Sequence, residues 1–122
     1  MIAIIDYGMG NLGSVKKALD HIGAPACITS DPVEIARSER VILPGVGAFR
    51  DAMKELRRRD LDVAFMDAVS QGKPALGICL GMQLPFASSE EFGLYKGLGL
   101  LDGRIQRMAG GPGLKIPHMG WN

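Results

Sequence analysis

Apolar residues fall in short blocks along this chain, and the period changes from block to block. Met1 to Ile5 is nearly continuous apolar sequence, the pattern of a strand buried on both faces. Asp6 to Asn11 is a glycine-rich turn. Val15, Ala18, Leu19 and Ile22 then recur at the spacing of one helix face, with Asn11 or Ser14 as the cap and Gly23 as the stop. Ala26 to Thr29 reads as a second strand. Pro32 to Arg37 reads as a short helix capped by Asp31, with proline in its first turn. Val41 to Leu43 is a third strand, ended by Pro44-Gly45. Ala52, Met53 and Leu56 open a helical stretch. Leu61, Ala64, Phe65, Ala68 and Val69 continue it after a change of phase near Arg59-Asp60, and Gly72 and Pro74 stop it. Ala75 to Ile78 is a fourth strand, followed by a helix that begins after Cys79. Beyond Ser88 the pattern weakens; Ile105 to Met108 reads as one more strand and Gly110 to Gly113 as a loop.

Strands alternating with helices specify an α/β fold, a mainly parallel sheet with helices on both faces. In such sheets function gathers at the carboxyl ends of the strands. The Tyr7–Asn11 turn, the Pro44–Phe49 turn and Cys79 all fall at that edge.

Composition narrows the function classes. The chain has 122 residues, 47% hydrophobic and 22% charged, enough for one small core. A net charge of +1 supplies no field for nucleic acid or an anionic membrane. No apolar run is long enough for a membrane span, and no basic region precedes the first one. Two cysteines make no disulfide framework, which points to a reducing, cytoplasmic setting.

The chemistry concentrates at Gly77-Ile78-Cys79-Leu80-Gly81. A strand, a nucleophile-type residue flanked by glycines two positions away, and a following helix make a nucleophile elbow with sulfur in place of the serine oxygen. The helix start turns unpaired N–H groups and its positive end toward the sulfur, which favours thiolate. Cys27 lacks this context and reads as core. The Pro44-Gly45-Val46-Gly47 turn reads as an oxyanion site: one of its peptide N–H groups, with that of Leu80, would hold the charged oxygen of a tetrahedral intermediate. The freedom of glycine lets such a peptide reorient when substrate binds.

A rival reading rests on Gly8, Gly10 and Gly13, which satisfy G-x-G-x-x-G between a strand and a helix, with Asp31 about 20 residues on. That pattern describes a dinucleotide-binding module and leaves Cys79 unexplained.

Four motifs in order carry a resemblance that runs from the first residue to the last. They are Asp6-Tyr7-Gly8-Met9-Gly10-Asn11, Pro44 to Phe49, Gly77 to Gln83, and Pro117-His118-Met119-Gly120-Trp121-Asn122. The chain resembles the glutaminase subunits of imidazole glycerol phosphate synthases, class I (triad-type) glutamine amidotransferases of histidine biosynthesis with a flavodoxin-like fold. The resemblance implies that Cys79 attacks the side-chain amide of glutamine. It implies that Gly45, Val46, Gly47, Leu80 and Gly81 form the substrate and oxyanion region, with Gly47 and Leu80 at the oxyanion-hole positions, and that Gln83 helps to hold glutamine. It implies that Asn11, Pro117, His118, Met119 and Trp121 face a (β/α)₈-barrel cyclase partner, to which ammonia passes. No metal and no organic cofactor is expected.

The pattern breaks at the general base. The chain has only His21, placed in the last turn of the first helix, and His118, placed in the partner motif. In the family the triad His and Glu come from a later segment. Residues 1–122 are therefore expected to be the N-terminal part of a single, C-terminally incomplete amidotransferase domain with little or no turnover of its own. Pro85 is a second departure, since it is expected inside the helix after the nucleophile, where proline costs about 3 kcal/mol. The cations between Lys54 and Asp60 read as a solvated helix face rather than a docking site.

Overall fold

The structure is a computed structural model that describes residues 1–116. Four parallel strands form the main sheet: β1 (Ile2–Ile5), β2 (Ala26–Thr29), β3 (Arg40–Leu43) and β4 (Ala75–Gly77), in the order β2-β1-β3-β4. The connecting helices are α1 (Leu12–His21), α2 (Pro32–Arg37), α3 (Phe49–Arg58) and α4 (Leu61–Ser70). The chain steps outward from β1 to β2 and then back across to β3. Right-handed crossovers therefore put α1 on one face and α2, α3 and α4 on the other. The contacts agree: α2 packs on α4 and α4 on α3, while α1 touches β1 and β2.

The two faces of the sheet are unequally covered. Ala3, Ile5, Val41 and Leu43 point to the three-helix side and join Ile35, Met53, Leu56, Phe65 and Ala68 in the core. The alternate positions pair across the sheet as a row, Ile28–Ile4–Ile42–Leu76. Ile4 and Ile42 in its middle are buried, but Ile28 is 41% and Leu76 55% exposed at its ends. No residue of α1 is fully buried, so this helix shields the row only in part.

Local chemistry accounts for the element ends. Asn11 caps α1 by accepting from the Ser14 N–H, and Asp31 caps α2 by accepting from the Val33 N–H. Asp31→Ala is expected to lower stability by about 1 kcal/mol in denaturant titration, because the Val33 donor loses its partner. The phase change near Arg59-Asp60 is a break: Asp60 adopts φ 56°, ψ 22°, separating α3 from α4.

After Cys79 the expectation of a helix through Pro85 is corrected. Helix α5 covers only Leu80–Gln83 and stops before the proline, which has no N–H to continue it. The carbonyls just past the helix pair with a later segment: Leu84 accepts from the Leu98 N–H at 2.8 Å and Pro85 from the Leu100 N–H at 2.8 Å. Pro85 thus follows a one-turn helix that has already ended. The chain enters a small second sheet, β5 (Phe86–Ser89), β6 (Tyr95–Lys96) and β7 (Leu101–Ile105), ordered β6-β5-β7. The strand expected at Ile105–Met108 lies earlier, at Leu101–Ile105, and β5 and β6 were not anticipated, because two-residue and half-buried strands leave no clear period. Among the described residues no helix is long and apolar enough to cross a membrane, and no cluster of His, Cys, Asp or Glu could hold a metal ion.

Candidate active site

Three turns meet at the carboxyl edge of the main sheet. The first follows β1, the second follows β3 and the third is the elbow between β4 and α5. The elbow is built by backbone packed on backbone. A Cβ on Gly81 would lie 1.8 Å from the Leu43 carbonyl oxygen, and one on Gly77 would lie 2.4 Å from the Gly81 carbonyl oxygen. Both positions therefore have room for hydrogen alone. Between them Cys79 takes φ 57° and ψ −119°, a conformation that costs a side-chain-bearing residue about 1–3 kcal/mol. The strain holds the thiol out of the packed layer, and Cys79 is exposed. Its helix is a single turn, so it offers the sulfur a few N–H groups and only a short stack of peptide dipoles.

The second turn lies directly against the elbow. A Cβ on Gly45 would be 2.5 Å from the Tyr7 hydroxyl, 2.9 Å from the Gly81 nitrogen and 3.0 Å from the Leu80 Cβ. The Leu80 N–H donates to the Gly45 carbonyl oxygen at 3.3 Å. The expected oxyanion donor is thus already engaged, by a carbonyl of the very turn expected to supply the second donor. Val46 and Gly47 are exposed, and Gly47 has φ 94°. Gly81 is buried and Gln83 is half-buried on α5.

The first turn completes the edge. Tyr7 is fully buried and its hydroxyl donates to the Pro44 carbonyl oxygen at 2.6 Å. Burial pushes the Tyr7 phenol well above its ordinary range, and the nearby Cys79 raises it further, so the hydroxyl keeps its proton. Periodicity gave Tyr7 no role. The available signal was an aromatic residue with a polar handle placed among glycines at the end of a buried strand. Asn11 is exposed at the start of α1.

The remaining sequence candidates separate. His21 closes α1 at the amino edge of the sheet, opposite to Cys79, and is exposed. Pro117, His118, Met119 and Trp121 lie outside the described residues. Cys27 is only partly buried, on the outer strand β2, and not the core residue expected. The cations of α3 are largely occupied: Arg58 and Arg59 bind Glu55, whose carboxyl the Arg58 hydrogen bond holds below its usual range. Arg57 reaches the Lys96 carbonyl.

The dinucleotide reading does not fit. A Cβ at Gly13 would meet nothing within 4 Å, so the third glycine serves no close helix–strand approach. The Arg59 guanidinium lies over Gly8, and the Asp31 carboxylate is used as a helix cap.

Comparison with known proteins decides the family. Residues 3–122 match the family model "Glutamine amidotransferase class-I". The chain belongs to the class-I glutamine amidotransferase family. It is 56% identical over 121 residues to the "Imidazole glycerol phosphate synthase subunit HisH" of Moorella thermoacetica, covering 99% of this chain and 57% of that protein. The subunit of the same name from Bacillus cereus is 58% identical over 122 residues, again with 57% of its length covered. The chain thus spans somewhat more than half the length of these amidotransferase relatives. Among solved structures, "Crystal structure of glutamine amidotransferase" superposes with a TM-score of 0.72 at 20% identity, over 88% of this chain and 57% of that one. A putative peptidase E from Listeria monocytogenes gives 0.67 at 16% identity, over 82% of this chain and 62% of that one. Both show the α/β fold alone.

Proposed function

We propose that the protein is the glutaminase subunit of an imidazole glycerol phosphate synthase, with Cys79 as its nucleophile. The observation that carries this reading is the strained, exposed Cys79 between two glycines that admit no side chain. Sulfur attacks the side-chain carbonyl carbon of glutamine, and the carbon–nitrogen bond breaks as nitrogen takes up a proton and leaves as ammonia. Water then attacks the thioester, releasing glutamate and restoring the thiol. Gln83 stands one turn along α5 and would hold the amino-acid end of the substrate.

The Gly45–Leu80 hydrogen bond describes a resting arrangement. Rotating the Gly45–Val46 peptide withdraws the carbonyl, frees the Leu80 N–H and presents to the same point the Val46 N–H, in place of the Gly47 N–H that the resemblance implies. Two donors would then face the developing oxyanion. The histidine base and its carboxylate would come from the part of the family's length that this match does not span. The reading also gives the protein a (β/α)₈-barrel cyclase partner, in contact with Asn11 and the Pro117–Trp121 segment, and ammonia passes to it unprotonated.

A glutamine-analogue electrophile tests the site. 6-Diazo-5-oxo-norleucine incubated with the full-length protein and its partner is expected to label Cys79 and spare Cys27, read by peptide mass spectrometry. Equal labelling of both thiols, or labelling that glutamine does not protect against, would remove the substrate assignment.

A further inference from the structure

The proposed turnover requires one peptide, Gly45–Val46, to rotate while its neighbours stay in place. What fixes the neighbours is therefore part of the machinery. On the downstream side the chain enters α3 at Phe49, which is fully buried. On the upstream side Pro44 is buried, and its carbonyl accepts one side-chain hydrogen bond, from a tyrosine 37 residues away in sequence.

We propose that Tyr7 is a positioning residue of the glutaminase site, pinning the Pro44 carbonyl so that rearrangement of the second turn is confined to the Gly45–Val46 peptide. The inference rests on the glutaminase reading above. Its geometric support is threefold. The Tyr7–Pro44 bond is short and buried, at 2.6 Å. The same hydroxyl lies where a Cβ on Gly45 would be only 2.5 Å away, so it also bounds the space in which Gly45 can turn. The rest of the first turn reinforces the contact: a Cβ on Gly10 would be 3.3 Å from the Pro44 Cβ, and one on Gly47 3.0 Å from the Met9 Cε. Burial raises the phenol's pKa and so favours the protonated, donating form.

Without the pin, the Pro44–Gly45 peptide gains freedom and the two oxyanion donors are no longer held at a common point. Misplacement of this kind slows chemistry more than it weakens substrate binding, because the donors are needed most by the tetrahedral intermediate. The sulfur itself, held by the elbow glycines, is untouched.

The test is Tyr7→Phe in the full-length protein assayed with its synthase partner, beside wild type and a Cys79 variant. The expected result is a kcat for glutamine hydrolysis lower by about tenfold or more, with KM within about twofold. Alkylation of Cys79 by iodoacetamide, which needs no oxyanion hole, is expected within about twofold of wild type. Unchanged kcat, or parallel loss of kcat and alkylation, overturns the proposal, the second because it reports a merely structural role. If Tyr7→Phe does not fold, 4-fluorophenylalanine at position 7 decides: it keeps a para substituent close to the hydroxyl in size and removes the donor to Pro44. A kcat changed more than about twofold at constant KM supports the pin, and an unchanged kcat overturns it. Absence of glutaminase activity in wild type, or its persistence without Cys79, marks failure of the underlying functional reading instead.

Discussion

Cys79→Ala, assayed with the proposed cyclase partner, is expected to abolish the proposed glutamine hydrolysis, lowering kcat by about four orders of magnitude or more. Among the described residues no other group at this edge can replace the sulfur. Cys27 lies on the outer strand, and the Tyr7 hydroxyl is buried and committed to Pro44. The stability of the variant carries a second reading. Alanine keeps a Cβ at φ 57° and inherits the strain, so its unfolding free energy should match wild type within about 0.5 kcal/mol. Cys79→Gly is equally inactive but relieves the strain. After the greater flexibility of glycine in the unfolded chain is subtracted, it should be more stable by about 1 kcal/mol. An inactive but stabilised glycine variant would show that the fold gives up stability to hold the Cys79 sulfur out. A destabilised one would mean that Cys79 is kept for packing, and the elbow argument would fail with it.

The second large effect belongs to Gly81. An added methyl group would sit 1.8 Å from the Leu43 carbonyl oxygen, 2.7 Å from its carbon and 3.0 Å from the Pro44 carbonyl carbon. These are backbone atoms of β3 and of the second turn, and they cannot swing aside as a flexible side chain does. Either α5 moves off the sheet or the end of β3 is displaced. Gly81→Ala is therefore expected to cost about 3 kcal/mol or more in chemical denaturation, the upper range for overpacking, and to abolish turnover in whatever folds. Gly13→Ala is the control. It sits in the first turn of α1 with open space around it, and alanine is the better helix former, so stability should hold or rise slightly. Equal losses at the two positions would contradict the close packing described here.

The parts of this molecule written in side-chain period were legible in its sequence. Each strand of the main sheet was visible as an apolar block between turns, and α1 and α4 as repeats of one helical face. The cap at Asp31 followed from residue type and position. The elbow was legible because the glycines and the cysteine have distinct stereochemical needs at fixed spacing. What escaped was set by contacts between distant segments. The engagement of the Leu80 N–H with Gly45 depends on how two turns dock, and neither turn records the other in its own residues. The Tyr7–Pro44 bond spans 37 residues and was hidden for the same reason. The length of α5 was not legible, because the residues around Pro85 do not show that the Leu84 and Pro85 carbonyls bond to the Leu98–Leu100 segment after the helix has ended. The small sheet had no period to show, being held by main-chain pairing around a register shift between Phe86 and Ser88.

The unequal covering of the main sheet has a practical consequence. β4 pairs with β3 on one side, and its Ala75 and Leu76 are exposed. Leu76 extends a greasy ridge begun by Ile42 and Ile4. Among the described residues this rim keeps amide and carbonyl groups unspent beside aliphatic side chains, a template on which another copy can lay its own strand. The chain will thus tend to recognise its own copies, and keeping it dispersed depends on whatever is laid along β4.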